Sequence, residues 1–406
     1  MMLELLKISL TFFIILFLLR KKIRIGYVML IASVALFALY SMNIAAIVAA
    51  IKNTATNRIT LTLLLALSLI RMFELILREN NVLSTMMSSV KNYFRSRRAV
   101  ITSMPLLIGM LPSLGGAYFS APMVKEAVTG LKMSQEEKAF INYWFRHPWE
   151  YILPLYPGIL LASAIADIPL YNLILANMLY AFTLIATGFT YSMRGLGRQA
   201  APAKADVKPK KSGRISRREG ASFLPILAVL LLVVVARIEL HYALLITTIP
   251  LLIMYKYPAK EVLRITKHGF AVDVIVLIFG VMLFKETMEA SGAVRNLSGF
   301  FVEQGVPALP IICILPFVAG LLTGITVAFV GSTFPLLISI GGEASLPVIS
   351  LAFAAGFIGV LLSPVHLCLI LTKEYFRADM WGIYKKMIPA CAIIFAAAFL
   401  EYILLK

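Results

Sequence analysis

The chain has 406 residues, of which 60% are hydrophobic and only 14% charged, with a formal net charge of +18. Soluble domains run nearer half apolar and a quarter charged, so a large soluble core is excluded. The positive charge does not mark a nucleic-acid binder either: Lys and Arg lie in short clusters between long apolar runs, as in a membrane protein with a positive-inside bias.

Apolar runs long enough to cross about 30 Å of hydrocarbon recur from end to end. The first, Ile8 to Leu19, is followed by Arg20, Lys21, Lys22 and Arg24, whereas a signal peptide carries its charge before the apolar stretch. It is therefore expected to be a retained span, residues 3–19. Span 2 is predicted over 27–51 and span 3 over 60–77, where Arg71 and Glu74, one turn apart, are expected to pair. A basic amphipathic stretch covers 78–100. Residues 101–128 are apolar but punctuated by Pro112, Gly115 and Gly116, and each half is too short to cross alone, so a re-entrant hairpin is predicted. Span 4, 139–163, is interrupted at Arg146-His147-Pro148, and span 5 covers 171–192.

Residues 194–219 are polar, basic and rich in small residues, the composition of a flexible linker. Spans 6 (221–237), 7 (241–256) and 8 (269–286) follow, then a second punctuated run, 307–340. Span 9, 346–372, is interrupted at Ser363-Pro364, and span 10 covers 387–405. The expected fold is thus an all-α integral membrane protein. It has two repeats, 1–193 and 220–406, each with five crossings, one re-entrant hairpin and a broken helix at its centre.

Five is odd, so the second repeat must insert upside down relative to the first. Charge tests this independently. With loop 20–26 inside, the inner segments carry 29 of the 38 Lys and Arg, against four in the outer loops: Lys52, Arg58, Arg237 and Arg295. The expected topology is a multi-pass protein of the cytoplasmic membrane with both termini outside and the linker in the cytoplasm. Gly109, Leu111, Ala117 and Tyr118 also match Gly320, Leu322, Ala328 and Phe329 at one offset, and Pro148 matches Pro364.

Irregular backbone at mid-membrane depth survives only inside protein or beside water. Two hairpin tips and two breaks, brought together by the inverted symmetry, form the kind of site used by secondary transporters. Helix N-termini after Gly116 and after Pro148 favour an anionic group, and carbonyls before the breaks favour a cation such as sodium. Ionisable groups in spans are functional candidates by default. Arg146 offers a fork for a carboxylate. His147 and Glu150 flank Pro148, and His366 lies two residues after Pro364 as Glu150 lies two after Pro148, a pair suited to proton coupling. The competing reading is that Glu150 only pairs with Arg146. Ser113, Ser120, Thr323, Thr326, Ser332, Thr333 and Ser363 supply hydroxyls near the breaks, either for sodium or substrate or for their own helix backbone. Cys313, Cys368 and Cys391 show no metal-ligand spacing and are expected to be small core residues.

The runs LPSLGGAYFSAPMV, FRHPWEY and LLSPVHLCLILTKEYF resemble the uncharacterised prokaryotic membrane family catalogued as domain of unknown function 401, over nearly the whole chain. That family is placed in the ion transporter superfamily, beside dicarboxylate, citrate and gluconate carriers. The resemblance implies two hairpins, two unwound helices, a homodimer and elevator-like movement of a hairpin-bearing domain. A small-molecule substrate is expected, with no cofactor other than a candidate sodium ion at the hairpin tips. The Ser-Asn-Thr tip motif of the sodium–dicarboxylate carriers is absent; the tips here read Ser113-Leu-Gly-Gly116 and Thr323-Gly-Ile-Thr326. An intramembrane enzyme is not expected, because HExxH and GxSxG are absent and the four histidines lie in separate segments. An ion channel is the alternative class, but channels more often obtain their pore from subunit symmetry, whereas the duplication here is internal.

Overall fold

The structure, a computed structural model, describes residues 2–93, 97–111, 116–192, 220–293, 307–340 and 345–405. Ser113, Gly115 and the predicted linker lie outside the described residues. Every regular element among the described residues is a helix. The first group is α1 (Met2–Arg20), α2 (Ile25–Leu39), α3 (Ile44–Thr56), α4 (Arg58–Glu79) and α5 (Val82–Tyr93). A helix pair follows, α6 (Arg97–Gly109) and α7 (Gly116–Ala127), then α8 (Gln135–Trp144), α9 (Trp149–Ile152), α10 (Pro157–Ala166) and α11 (Leu170–Ser192). Beyond residue 220 come α12 (Leu224–Val234), α13 (Leu240–Met254), α14 (Ala259–Gly269) and α15 (Val272–Ala290). The second helix pair is α16 (Ala308–Thr323) and α17 (Thr326–Ile340), followed by α18 (Leu346–Leu362), α19 (Leu367–Phe376) and α20 (Met380–Leu405).

Six helical segments are long and apolar enough to cross a membrane: Arg58–Glu79, Gln135–Ala166, Leu170–Ser192, Ala259–Ala290, Leu346–Phe376 and Met380–Leu405. Large apolar side chains also face outward, among them Phe13, Ile44, Phe182, Ile253, Leu400 and Leu404. In water such faces would be costly; in hydrocarbon they are required. These are the features of an integral membrane protein.

Several predicted boundaries move. Span 2 is two helices, because Ser41 adopts the left-handed region (φ 48°) and Asn43 caps α3, its side chain accepting from the Ala46 amide at 2.8 Å. Leu224–Val234 and Leu240–Met254 are shorter than full spans. The polar residues before span 8 form a helix, α14, rather than a loop. Arg71 does not take Glu74: its guanidinium binds both carboxylate oxygens of Asp273 on α15 at 3.0 Å, while Glu74 lies 3.9 Å from Arg78. A single guanidinium nitrogen of Arg71, Nη1, makes both contacts to Asp273.

Contacts cross between the two parts of the chain in pairs. Helix α2 packs on α15, and α4 on α13. Helix α7 packs on α19, and α17 on α10. The α2–α15 contact is backbone against backbone: a side chain at Gly26 would meet Val276 O at 2.6 Å, and one at Gly280 would overlap Gly26 O. Small residues that let helices approach this closely are a usual device of membrane packing.

Candidate functional site

The break between α8 and α9 follows from Pro148, which has no amide hydrogen and disfavours helix in the residue before it. Phe145 caps α8, and Arg146 and His147 form the turn. All three are buried. A second interruption, Leu153–Tyr156, was not predicted; both end residues are extended, and Pro157 opens α10. Pro154 and Pro157 were its signal.

The second break lies between α18 and α19. Ser363, before Pro364, is extended (φ −68°, ψ 124°), as is His366 (φ −65°, ψ 117°). The Ser363 amide donates to Val360 O at 3.1 Å, and side chains also reach the last carbonyls of α18. His366 Nδ1 lies 3.1 Å from Val360 O, the Tyr143 hydroxyl donates to Leu361 O at 2.9 Å, and the Tyr384 hydroxyl donates to Leu362 O at 2.9 Å. The carbonyls that sequence reasoning offered to a cation at this break are therefore already engaged.

The end of α6 is treated the same way. Trp149 Nε1 donates to Leu106 O at 2.6 Å, and the Tyr156 hydroxyl donates to Gly109 O. A side chain at Gly109 would overlap Arg146 O, so the first helix pair seats directly on the first break. The tip of the second pair is only Gly324-Ile325. Gly324 is left-handed (φ 64°), and its amide donates to Gly320 O, closing α16. It lies flush on the second break: an added Cβ would stand 2.8 Å from His366 N and 3.0 Å from Ser363 Oγ.

The two breaks and the second tip also meet one another. The Thr326 hydroxyl, at the start of α17, donates to Glu150 Oε2 at 2.7 Å. Gly158 admits this approach, since a Cβ there would overlap the Thr326 methyl group. A carboxylate at a helix N-terminus is favoured by the amide dipoles. Glu150 Oε1 lies 3.8 Å from His147 Nε2. The His147 and His366 rings are 5.1 Å apart, edge to face, and Tyr143 stands between the two breaks with its hydroxyl 3.4 Å from His366 Nδ1.

Arg146, His147, Glu150, Thr326, Ser363 and His366 are thus gathered in one place, with Pro148 and Pro364 making the backbone turns. The other predicted hydroxyls among the described residues bond within their own helices. Ser120 donates to Ala117 O at 3.3 Å, Thr323 to Ala319 O at 2.7 Å, Ser332 to Ala328 O at 2.7 Å and Thr333 to Phe329 O at 2.7 Å. Gly116 begins α7. Sequence reasoning missed Asn142 as well as Tyr143. The Asn142 amide, fully buried, donates to Ala117 O and to the Thr372 hydroxyl, each at 3.0 Å, and so ties α7 and α8 to α19. A cavity of about 550 Å³ between Arg58, Asp167, Arg237 and Glu239 contains none of the predicted site residues.

No curated protein matches the chain. A family model described as protein of unknown function DUF401 matches residues 4–405, and the chain belongs to that family.

Proposed function

We propose that this family member is a secondary active transporter of a small organic anion, a carboxylate, coupled to sodium or protons. The observation that carries the reading is the meeting of both broken helices with the tip of the second helix pair, at Glu150–Thr326 and His147–His366. Interrupted helices place amide and carbonyl ends beside ionisable side chains, and a soluble ligand can use both. Arg146 is the residue proposed to receive the carboxylate, assisted by the amides at the starts of α17 and α19. Glu150 and His366 are the groups proposed for the coupling ion.

The paired contacts support two inverted repeats. In each, an element of one half meets a different element of the other, and the exchanged pair meets too: α2 with α15 and α4 with α13, α7 with α19 and α17 with α10. A two-fold axis generates contacts of this reciprocal kind. On this reading α6/α7 and α16/α17 are re-entrant hairpins. Helices α1–α4 and α12–α15 form a scaffold, through which a homodimer assembles. The hairpins with α8–α11 and α18–α20 form the moving body of an elevator. Both termini lie outside the cytoplasmic membrane and residues 194–219 inside.

A thermal-shift screen of organic acids on the purified protein, with and without sodium, tests the ligand class. A ligand present at 100 times its Kd stabilises the folded state by about 2.7 kcal/mol. At least one carboxylate is expected to raise the melting temperature, and sodium either enhances that shift or leaves it unchanged according to the coupling ion. No shift with any carboxylate contradicts the anion assignment.

A further inference from the structure

The two breaks hold a second arrangement that the carboxylate itself does not use, although it shares His366 with the groups proposed for the coupling ion. One ring nitrogen of His147, one of His366 and the Cys368 sulfur all lie within 4.8 Å of one another. Each imidazole has its Nδ1 on a backbone carbonyl, His147 on Tyr143 O at 2.6 Å and His366 on Val360 O at 3.1 Å. A carbonyl oxygen only accepts, so each Nδ1 carries the proton and each neutral ring keeps its lone pair on Nε2. Metal-ligating histidines are commonly held in this way, with the second nitrogen donating to a carbonyl or carboxylate. His147 Nε2 is buried and makes no hydrogen bond among the described residues. Glu150 Oε1 stands 3.8 Å from it, too far for a hydrogen bond.

We propose that His147, His366 and Cys368 bind a transition-metal cation of the zinc class, with the fourth position open to a soluble ligand. Two imidazoles and a thiolate suit zinc and its neighbours, whereas sodium, magnesium and calcium take oxygen ligands. Zinc–nitrogen distances of about 2.0–2.1 Å and zinc–sulfur of about 2.3 Å put neighbouring ligand atoms of a tetrahedral ion roughly 3.3–3.6 Å apart. Side-chain shifts of about 1 Å therefore close the site. Binding releases the Cys368 thiol proton, since the thiolate is the ligand. The ligands come from both breaks, so the ion joins α8–α9 to α18–α19. The inference rests on side-chain geometry and stands whether or not the chain is a carrier.

Full-length protein stripped with a chelator and titrated with Co²⁺ is expected to take up one ion per chain and to show a sulfur-to-cobalt charge-transfer band. Cys368→Ser removes that band and weakens zinc competition by roughly 100-fold or more, since outer-shell losses alone cost about 10–100-fold. Cys313→Ser leaves both readouts unchanged. Where Cys368→Ser does not fold, alkylation of the wild-type chain read by mass spectrometry decides, because saturating Zn²⁺ must protect Cys368 and not Cys313. Absence of stoichiometric binding, a cobalt spectrum indifferent to Cys368→Ser, or unprotected Cys368 overturns the proposal.

Discussion

Glu150→Gln is expected to lower the initial rate of substrate uptake into proteoliposomes by roughly twofold to 30-fold, at about 0.5–2 kcal/mol for replacing a charged acceptor of the Thr326 hydrogen bond by a neutral one. The carboxylate accepts from Thr326 at 2.7 Å and faces His147, so it holds the second helix-pair tip to the first break. Glutamine keeps the shape and removes the charge. Thr326→Val removes the donor and is expected to lose a comparable amount, while Thr326→Ser keeps the hydroxyl and most of the rate. The double variant Glu150→Gln/Thr326→Val should lose less than the sum of the two, because the residues are in direct contact. Melting temperatures of the same variants separate a transport defect from a folding one. Wild-type uptake by Glu150→Gln, in protein that still binds substrate, contradicts the role given to this pair.

Gly324→Ala is the second large effect. Its φ of 64° strains any residue with a Cβ by about 1–2 kcal/mol. The Cβ also meets His366 N at 2.8 Å and His366 Cα at 2.9 Å. Backbone atoms cannot swing aside as a side chain would, so the tip must part from the second break. Overpacking of this kind adds about 1–3 kcal/mol. Uptake is expected to fall beyond what the loss of stability explains. Gly130→Ala is the matched control: its φ is also positive, at 79°, but nothing lies within 4 Å of its Cβ. It should show the backbone strain alone and retain transport. Equal transport by the two variants would mean that the seat of Gly324 on His366 has no functional weight.

The all-helical membrane class and the two helix breaks were legible because hydropathy and proline report on local backbone. Pro148 and Pro364 interrupt helices where the sequence placed the breaks, and Pro154 with Pro157 marks a further interruption that a single-break reading passed over. The turn at Ser41–Asn43 was hidden because apolar content alone does not distinguish one long helix from two short ones; Asn43 as a cap was the available sign. Partners were much less legible. Helical spacing brought Arg71 and Glu74 to one face, but the spacing carries no information about Asp273, 202 residues away, whose carboxylate lies 3.0 Å from Arg71 Nη1. The same limit hid the link from Glu150 to Thr326, 176 residues apart, and the His147–His366–Cys368 group, whose ligands come from two distant helices. Tyr143 and Asn142 were missed because a buried aromatic and a buried amide look like packing until the carbonyls they satisfy are known.

The central claim, that the broken-helix site belongs to a carrier, is tested most directly by counterflow. Proteoliposomes containing the full-length chain are loaded with the carboxylate that best raises the melting temperature, and a trace of the radiolabelled acid is added outside. The account predicts saturable accumulation of label by exchange that persists without a net gradient and is reduced by Glu150→Gln. Unsaturable flux that follows only the membrane potential, or accumulation unaffected by Glu150→Gln, would contradict it.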